Sequence, residues 1–177
     1  MLVRPAAADE IDAIVALSRR VQERLTASGS LQQFGPLPRE TVAAYVAAGC
    51  SLVLLEAAGD ELLGGVFIEP EWAPASAQIT SVFAELALPP ERGPRWWLQK
   101  LMIAPQRQGA GLGNVLLAGV RRHVMAHGGG TVLLDCWAGN QKLRAFYLAD
   151  GFRFHGEFHE EGYDVAAFTW TAPTSPG

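Results

Sequence analysis

Two cysteines, Cys50 and Cys136, are too few in 177 residues to build a disulfide framework. A reduced, cytoplasmic setting is the simpler expectation, although two thiols also suit a secreted chain. No apolar run approaches the roughly 18–20 residues that a membrane-spanning helix needs, so no membrane partner is expected. Met1-Leu2-Val3-Arg4-Pro5 leads straight into a polar, helix-like segment, not into the apolar stretch of a secretory signal. Positive charge is scarce too. Fourteen Lys and Arg against 18 Asp and Glu leave a net charge of −4, and the basic residues form no dense run. A nucleic-acid partner gripped through its phosphates needs a basic face, which these residues do not supply.

What remains is a globular composition, 49% apolar and 18% charged, in a length suited to one domain with a real core. The expected domain covers residues 1–171. A tail over 172–177, rich in Pro and small residues, is expected to fray. Residues 2–4 suit a short strand. Asp9 then reads as an N-cap for a helix carrying Ile11, Ile14, Val15, Ser18, Val21 and Leu25 on one side. A loop over 26–38 and a second helix over 39–48 follow. Residues 51–56 and 62–68 read as a hairpin turning at Gly59-Asp60-Glu61, and 79–86 as a short helix ahead of Pro89-Pro90. The series then runs strand 96–103, glycine loop, helix 113–126, strand 131–137 and a helix capped by Asn140 that reaches Asp150. Gly151 takes the left-handed C-terminal position. A last hairpin spans 152–158 and 163–171. This order predicts an α/β fold, a mixed sheet with one parallel, right-handed crossover.

The most informative stretch is Gln108-Gly109-Ala110-Gly111-Leu112-Gly113. Glycines at alternate positions, between an apolar strand and an apolar helix, let the backbone curl so that successive N–H groups face one anion. The positive end of the helix dipole adds to them. A plain strand-to-helix turn needs only one glycine, so three favour a phosphate or pyrophosphate. It is not a P-loop, because Asn114 stands where GxxxxGK[ST] requires Lys. The dinucleotide pattern GxGxxG is not met either, although Asp135 lies 22 residues beyond Gly113, near the place of a ribose-binding acid. A nucleotide-binding α/β domain is thus the weaker alternative.

The loop resembles the hallmark Q/R-x-x-G-x-G/A of the GNAT superfamily of N-acetyltransferases, and Leu101-Met102-Ile103-Ala104-Pro105 looks like its lead-in. Asn140-x-x-Leu143-x-x-Phe146-Tyr147-x-x-x-Gly151-Phe152 is similar to the family's second signature, with Leu143 where Ala is usual. The resemblance covers residues 2–170, and its specific motifs lie within 98–152. It implies a single-domain, mostly antiparallel sheet flanked by about four helices, and acetyl-CoA as cosubstrate without a metal. Residues Gly109, Ala110, Gly111, Leu112, Gly113 and Asn114, led by Gln108, would hold the pyrophosphate. The backbone of Leu101, Met102 and Ile103 would pair with the pantetheine arm, and Asn140 and Tyr147 would also meet the coenzyme. The acceptor would be an amine of a small molecule or protein, and a homodimer is the family-level expectation. A coenzyme A-binding sensor without turnover is the alternative from another class.

Acyl transfer to an amine requires a neutral amine, whereas free alkylamines have pKa values near ~10.4. By pattern alone Tyr147 is a core aromatic; the resemblance makes it the acid that serves the leaving thiolate. The strand before the loop reads Trp97-Leu98-Gln99-Lys100-Leu101 and lacks the glutamate many members carry there. Asp135, five residues before Asn140, stands at a position resembling the base of some protein N-terminal acetyltransferases of the family and is the candidate base, with a structural strand-end carboxylate as the equal alternative. Glu69 and Glu85 are further candidates. His123 and His127 stand four apart on a helix but lack a third metal ligand. Cys136 reads as a buried small hydrophobe, and Trp96-Trp97 as packing. By the resemblance, residues 24–38 and 155–164 shape the acceptor site; Glu157, Glu160 and Glu161 in the latter would favour a cationic acceptor, with a solvated turn as the alternative.

Overall fold

The computed structural model describes residues 1–32, 34–57, 61–71, 93–160 and 162–173. Seven strands and four helices are found among them: β1 Leu2–Pro5, α1 Ile11–Ala27, α2 Arg39–Ala47, β2 Ser51–Leu55, β3 Leu62–Pro70, β4 Arg95–Ile103, α3 Leu112–Ala126, β5 Thr131–Trp137, α4 Gln141–Ala149, β6 Arg153–Glu160 and β7 Tyr163–Thr171. The strands form a mixed sheet in the order β1-β2-β3-β4-β5-β7-β6. Its ladders are antiparallel except for β4–β5, the predicted crossover, which pairs Arg95, Trp96 and Trp97 with Thr131, Val132 and Leu133. The helix expected over 79–86 lies outside the described residues.

Residues 1–68 and 99–120 form one compact unit, and residues 69–98 and 121–177 another. In the first, α1 buries Ile11, Ile14, Leu17 and Val21 in a core with Val42, Val53, Phe67 and Met102. Asp9 does not cap α1, contrary to expectation. Glu10 reaches back to accept from the Ala7 amide (2.7 Å) and grips Arg4 (2.8 Å), which draws residues 8–10 into a 3-10 turn with Asp9 exposed. Arg4 holds the Glu10 carboxyl below its ordinary range. The connection between α1 and α2 is pinned by α1 itself. Gln22 Oε1 accepts from the Phe34 and Gly35 amides (2.7 and 2.9 Å), and the buried Ser18 hydroxyl from Leu37 (3.0 Å).

In the second unit the β5, β7 and β6 strands pair in continuous antiparallel register, interrupted by a bulge between Phe154 and Gly156. Thr171 and Ala172 are held: the Ala172 amide donates to Gly130 (2.9 Å), and the Thr171 hydroxyl meets that of Thr131 (3.1 Å). Residues 174–177 of the expected tail lie outside the described set. Gly130 opens β5 at φ +112°, and a Cβ there would stand 1.9 Å from the Pro94 carbonyl oxygen. Gly128 has φ +98° but open space around it. Gly130→Ala is therefore expected to combine collision with backbone strain and cost on the order of 3 kcal/mol. Gly128→Ala should show the strain alone. Equal losses for the two in urea unfolding would remove the collision argument.

Candidate active site

The first unit contains the predicted coenzyme segment. Met102 and Ala104 are fully buried, and the Ala104 amide donates to Leu63 (2.9 Å). Further back along β4, Arg95 accepts from the Glu71 amide (2.9 Å). Between these two bonds β3 advances 71 − 63 = 8 residues and β4 advances 104 − 95 = 9, so β4 carries one extra residue. Lys100 marks it, with φ +54°, the one non-glycine residue at positive φ among those described. Such a bulge bends and re-aims a strand, here immediately before Leu101-Met102-Ile103. The Lys100 ammonium lies 5.2 Å above the Phe34 ring. Gly64 of β3 is required beside this strand, since a Cβ on it would come within 2.7 Å of the Met102 carbonyl oxygen.

After β4 the chain makes a 3-10 turn over Pro105–Arg107, and the Gln108 side-chain amide donates back to the Ile103 carbonyl (3.3 Å). Gly109 and Gly111 then take φ +86° and +75°, the left-handed region, while Gly113 lies inside α3. A Cβ on either left-handed glycine would meet nothing within 4 Å, so torsion and not space demands glycine there. The Gly111 carbonyl accepts from Asn114 (3.1 Å) and Val115 (3.4 Å), opening the helix. Hence the Asn114 amide is already engaged, whereas the amides of Gly109, Ala110, Gly111, Leu112 and Gly113 donate to no atom of the described residues. Five consecutive N–H groups with no partner among the described residues thus lead into and open a 15-residue helix.

In the second unit the Asn140 side chain accepts from the Leu143 amide (3.0 Å) and caps α4. At the other end Gly151 takes φ +89°, the left-handed stop. Tyr147 is buried, its ring 5.7 Å from those of Phe152 and Phe168. Burial first, then Cys136, Asp135 and Asp150, push its phenol far above the ordinary value, so it stays protonated. Cys136, also buried, has its thiol pushed up to about 12, chiefly by burial, which excludes a ready nucleophile. Phe168 pairs with Leu134 across the ladder, and Cys136 lies two residues on, so the Tyr147 ring packs on the Leu134–Cys136 face. Asp135 pairs with Ala167 and projects from the opposite face. The two predicted proton carriers thus flank β5 from either side.

Other candidates resolve as follows. Glu157 is paired with Arg144 (2.7 Å), so its charge is already compensated. Glu85 and Glu161 lie outside the described residues. The His123 and His127 rings lie 4.3 Å apart, tilted by 32°, beside Trp96, whose indole donates to Gly129 (2.9 Å). His123 is therefore half-buried, and burial lowers its pKa. No group of three metal-ligating side chains is gathered among the described residues. The β4 bulge had no signal in the sequence, because it is built on a lysine where glycine is usual.

With this geometry in place, comparison with known proteins identifies the class. The family model of the Acetyltransferase (GNAT) family matches residues 22–152, and the chain belongs to that family. No curated protein sequence matches it. Among solved structures, a GNAT-family acetyltransferase of Streptococcus agalactiae 2603 is similar with a TM-score of 0.78 and 18% identity, over 98% of this chain and 96% of that one. A Listeria monocytogenes 4b F2365 GNAT-family acetyltransferase gives 0.74 and 20%, over 97% and 94%. The Salmonella typhimurium protein yncA, solved with its cofactor acetyl-CoA, gives 0.68 and 15%, over 99% of each chain. At these identities the likeness establishes the fold. No described helix is long and apolar enough to cross a membrane.

Proposed function

We propose that the protein transfers an acetyl group from acetyl-CoA to an amine of a small molecule or protein. The observation that carries this reading is the row of five amides from Gly109 to Gly113, at the head of α3, that have no partner among the described residues. A pyrophosphate suits such a row, because charge-assisted bonds from backbone N–H groups need no basic side chain. Leu101, Met102 and Ile103 offer strand backbone for the amide-bearing pantetheine arm, and the β4–β5 ladder ends two residues past its start, at Trp97 and Leu133. When bound, acetyl-CoA supplies the activated acyl group; the chain supplies orientation and proton handling.

For the chemistry we assign Tyr147 to the leaving thiolate. A phenol held well above its ordinary pKa cannot cheaply surrender a proton to a thiolate whose own pKa is near ~8.5. Tyr147 therefore acts as a hydrogen-bond donor that stabilises the sulfur charge. The proton acceptor for the amine belongs to the opposite face of the sheet, where Asp135 stands.

Calorimetric titration with acetyl-CoA, followed by an amine screen with mass detection of acetylated products, tests the reading. Saturable binding and at least one acetylated amine are expected. Binding without product from any amine would leave a coenzyme-binding module, and no binding at all would remove the assignment.

A further inference from the structure

The end of α4 holds Tyr147 in a cap that a residue of α3 completes. The Phe152 amide donates to the Tyr147 carbonyl (3.0 Å) and the Gly151 amide to that of Leu148 (3.1 Å), with Gly151 at φ +89°. This is a Schellman motif, and the apolar contact that accompanies such a motif is made by the rings of Tyr147 and Phe152 themselves, 5.7 Å apart. The carbonyl of Asp150, the residue that ends the helix, is taken by Arg121, whose Nη2 donates both to that oxygen and to the Asp150 carboxylate. The Asp150 side chain is 7% exposed and that of Arg121 27%. The guanidinium lies 5.8 Å from the centre of the Phe152 ring and 5.1 Å from that of Trp170. All of these residues belong to the second unit.

Stability alone is a poor reason for an arginine in this slot. Its Nε is buried and donates to no atom, which carries a desolvation cost. Withdrawing two charges from water also offsets much of what their attraction returns, so apolar side chains of similar volume would hold the helix end about as firmly. The cation suits the negative end of the α4 dipole, but a lysine would share that benefit. What neither alternative supplies is direction. A planar group held against two rings fixes where the Asp150 carbonyl sits, and with it the last turn of α4. We infer that Arg121 is a positioning residue for Tyr147: by clamping Asp150 and Phe152 it fixes the cap that aims the Tyr147 ring, and so the point where the phenol meets the sulfur of the leaving thiolate. This inference rests on the acyl-transfer reading. Arg121 exchanges no proton in it.

The test follows thiol release by the full chain from acetyl-CoA with hydroxylamine, which is neutral at pH 7 and so reports departure of the thiolate without need of a base. Arg121→Lys keeps the charge and loses the planar group. It should lower kcat about tenfold, with acetyl-CoA affinity within a few-fold of the parent. In a Tyr147→Phe background the same change should cost less than about twofold, because residues that act as one unit do not add. Arg121→Met combined with Asp150→Asn removes both charges and leaves none buried alone. It should hold the parent's melting temperature within a few degrees and still lose about tenfold in kcat, and it carries the test if Arg121→Lys does not fold. A readout free of turnover is the Tyr147 Cζ resonance, assigned by its loss in Tyr147→Phe. Saturating coenzyme A should move it in the parent and move it less in both Arg121 variants. Equal losses in the two backgrounds, parent-like kcat in either Arg121 variant, or a parent-like response to coenzyme A would each overturn the role of Arg121 and leave acyl transfer standing. Parent-like kcat in Tyr147→Phe would overturn the role of Tyr147 and that of Arg121 with it. Absence of acetyl-CoA binding by the parent, or binding without thiol release to hydroxylamine or any screened amine, would overturn the acyl-transfer reading itself and this inference with it.

Discussion

Gly111→Val is expected to remain folded and to lose acetyl-CoA affinity by about 10²-fold or more. Gly111 adopts φ +75°, a region that a β-branched residue avoids, and nothing lies within 4 Å of the added Cβ. The variant therefore relieves strain by rotating the local backbone, not by pushing a neighbour aside. That rotation turns the Gly111 and Leu112 amides away from a common point. Two hydrogen bonds to a charged group, each worth roughly 1.5–3 kcal/mol, account for the expected loss. The Gly111 carbonyl also opens α3, so some loss of melting temperature accompanies it. Calorimetry on the folded variant is the measurement; parent-like affinity would show that the coenzyme pyrophosphate binds elsewhere.

Tyr147→Phe is expected to lower kcat by about 10²-fold, at the lower end of what one lost hydrogen-bond donor to developing charge costs, with acetyl-CoA affinity within a few-fold of the parent. The ring contacts to Phe152 and Phe168 survive the change. The substitution removes only the hydroxyl, so folding should be little affected. The direction of the shift adds a constraint on pH dependence. A phenol raised above its ordinary 10.0 is fully protonated throughout the neutral range, so Tyr147 contributes no limb to the pH–rate profile below about pH 10. The parent and Tyr147→Phe profiles should then have the same shape and differ only in height. A variant with parent-like kcat would reduce Tyr147 to a core aromatic, the reading that its helical spacing alone supports.

The sequence by itself determined the parts of this protein that rest on local chemistry. Alternating glycines predicted a tightly curled loop ahead of α3, because only glycine enters the left-handed region without strain, and Gly109 and Gly111 do so. Asn140 and Gly151 bracketed α4 because cap residues satisfy orphan backbone groups within a few positions of themselves. The order of apolar runs gave the crossover strands β4 and β5 to within a residue. Asp9 was misassigned because a competing carboxylate one residue later had a better-placed partner in Arg4.

Tertiary structure decided what depends on partners distant in the chain. That Glu69 is buried, that Arg121 meets Asp150, and that Glu157 is compensated by Arg144 all follow from strand register and helix placement. The Lys100 bulge appears only when the advance of β4 is set against that of β3. Asp135 and Tyr147 could be named from sequence, but their assignment to opposite faces of β5 required the pairing with β7. Side chains alternate along a strand with a period of two, so one residue of register decides which candidate proton carriers share a face.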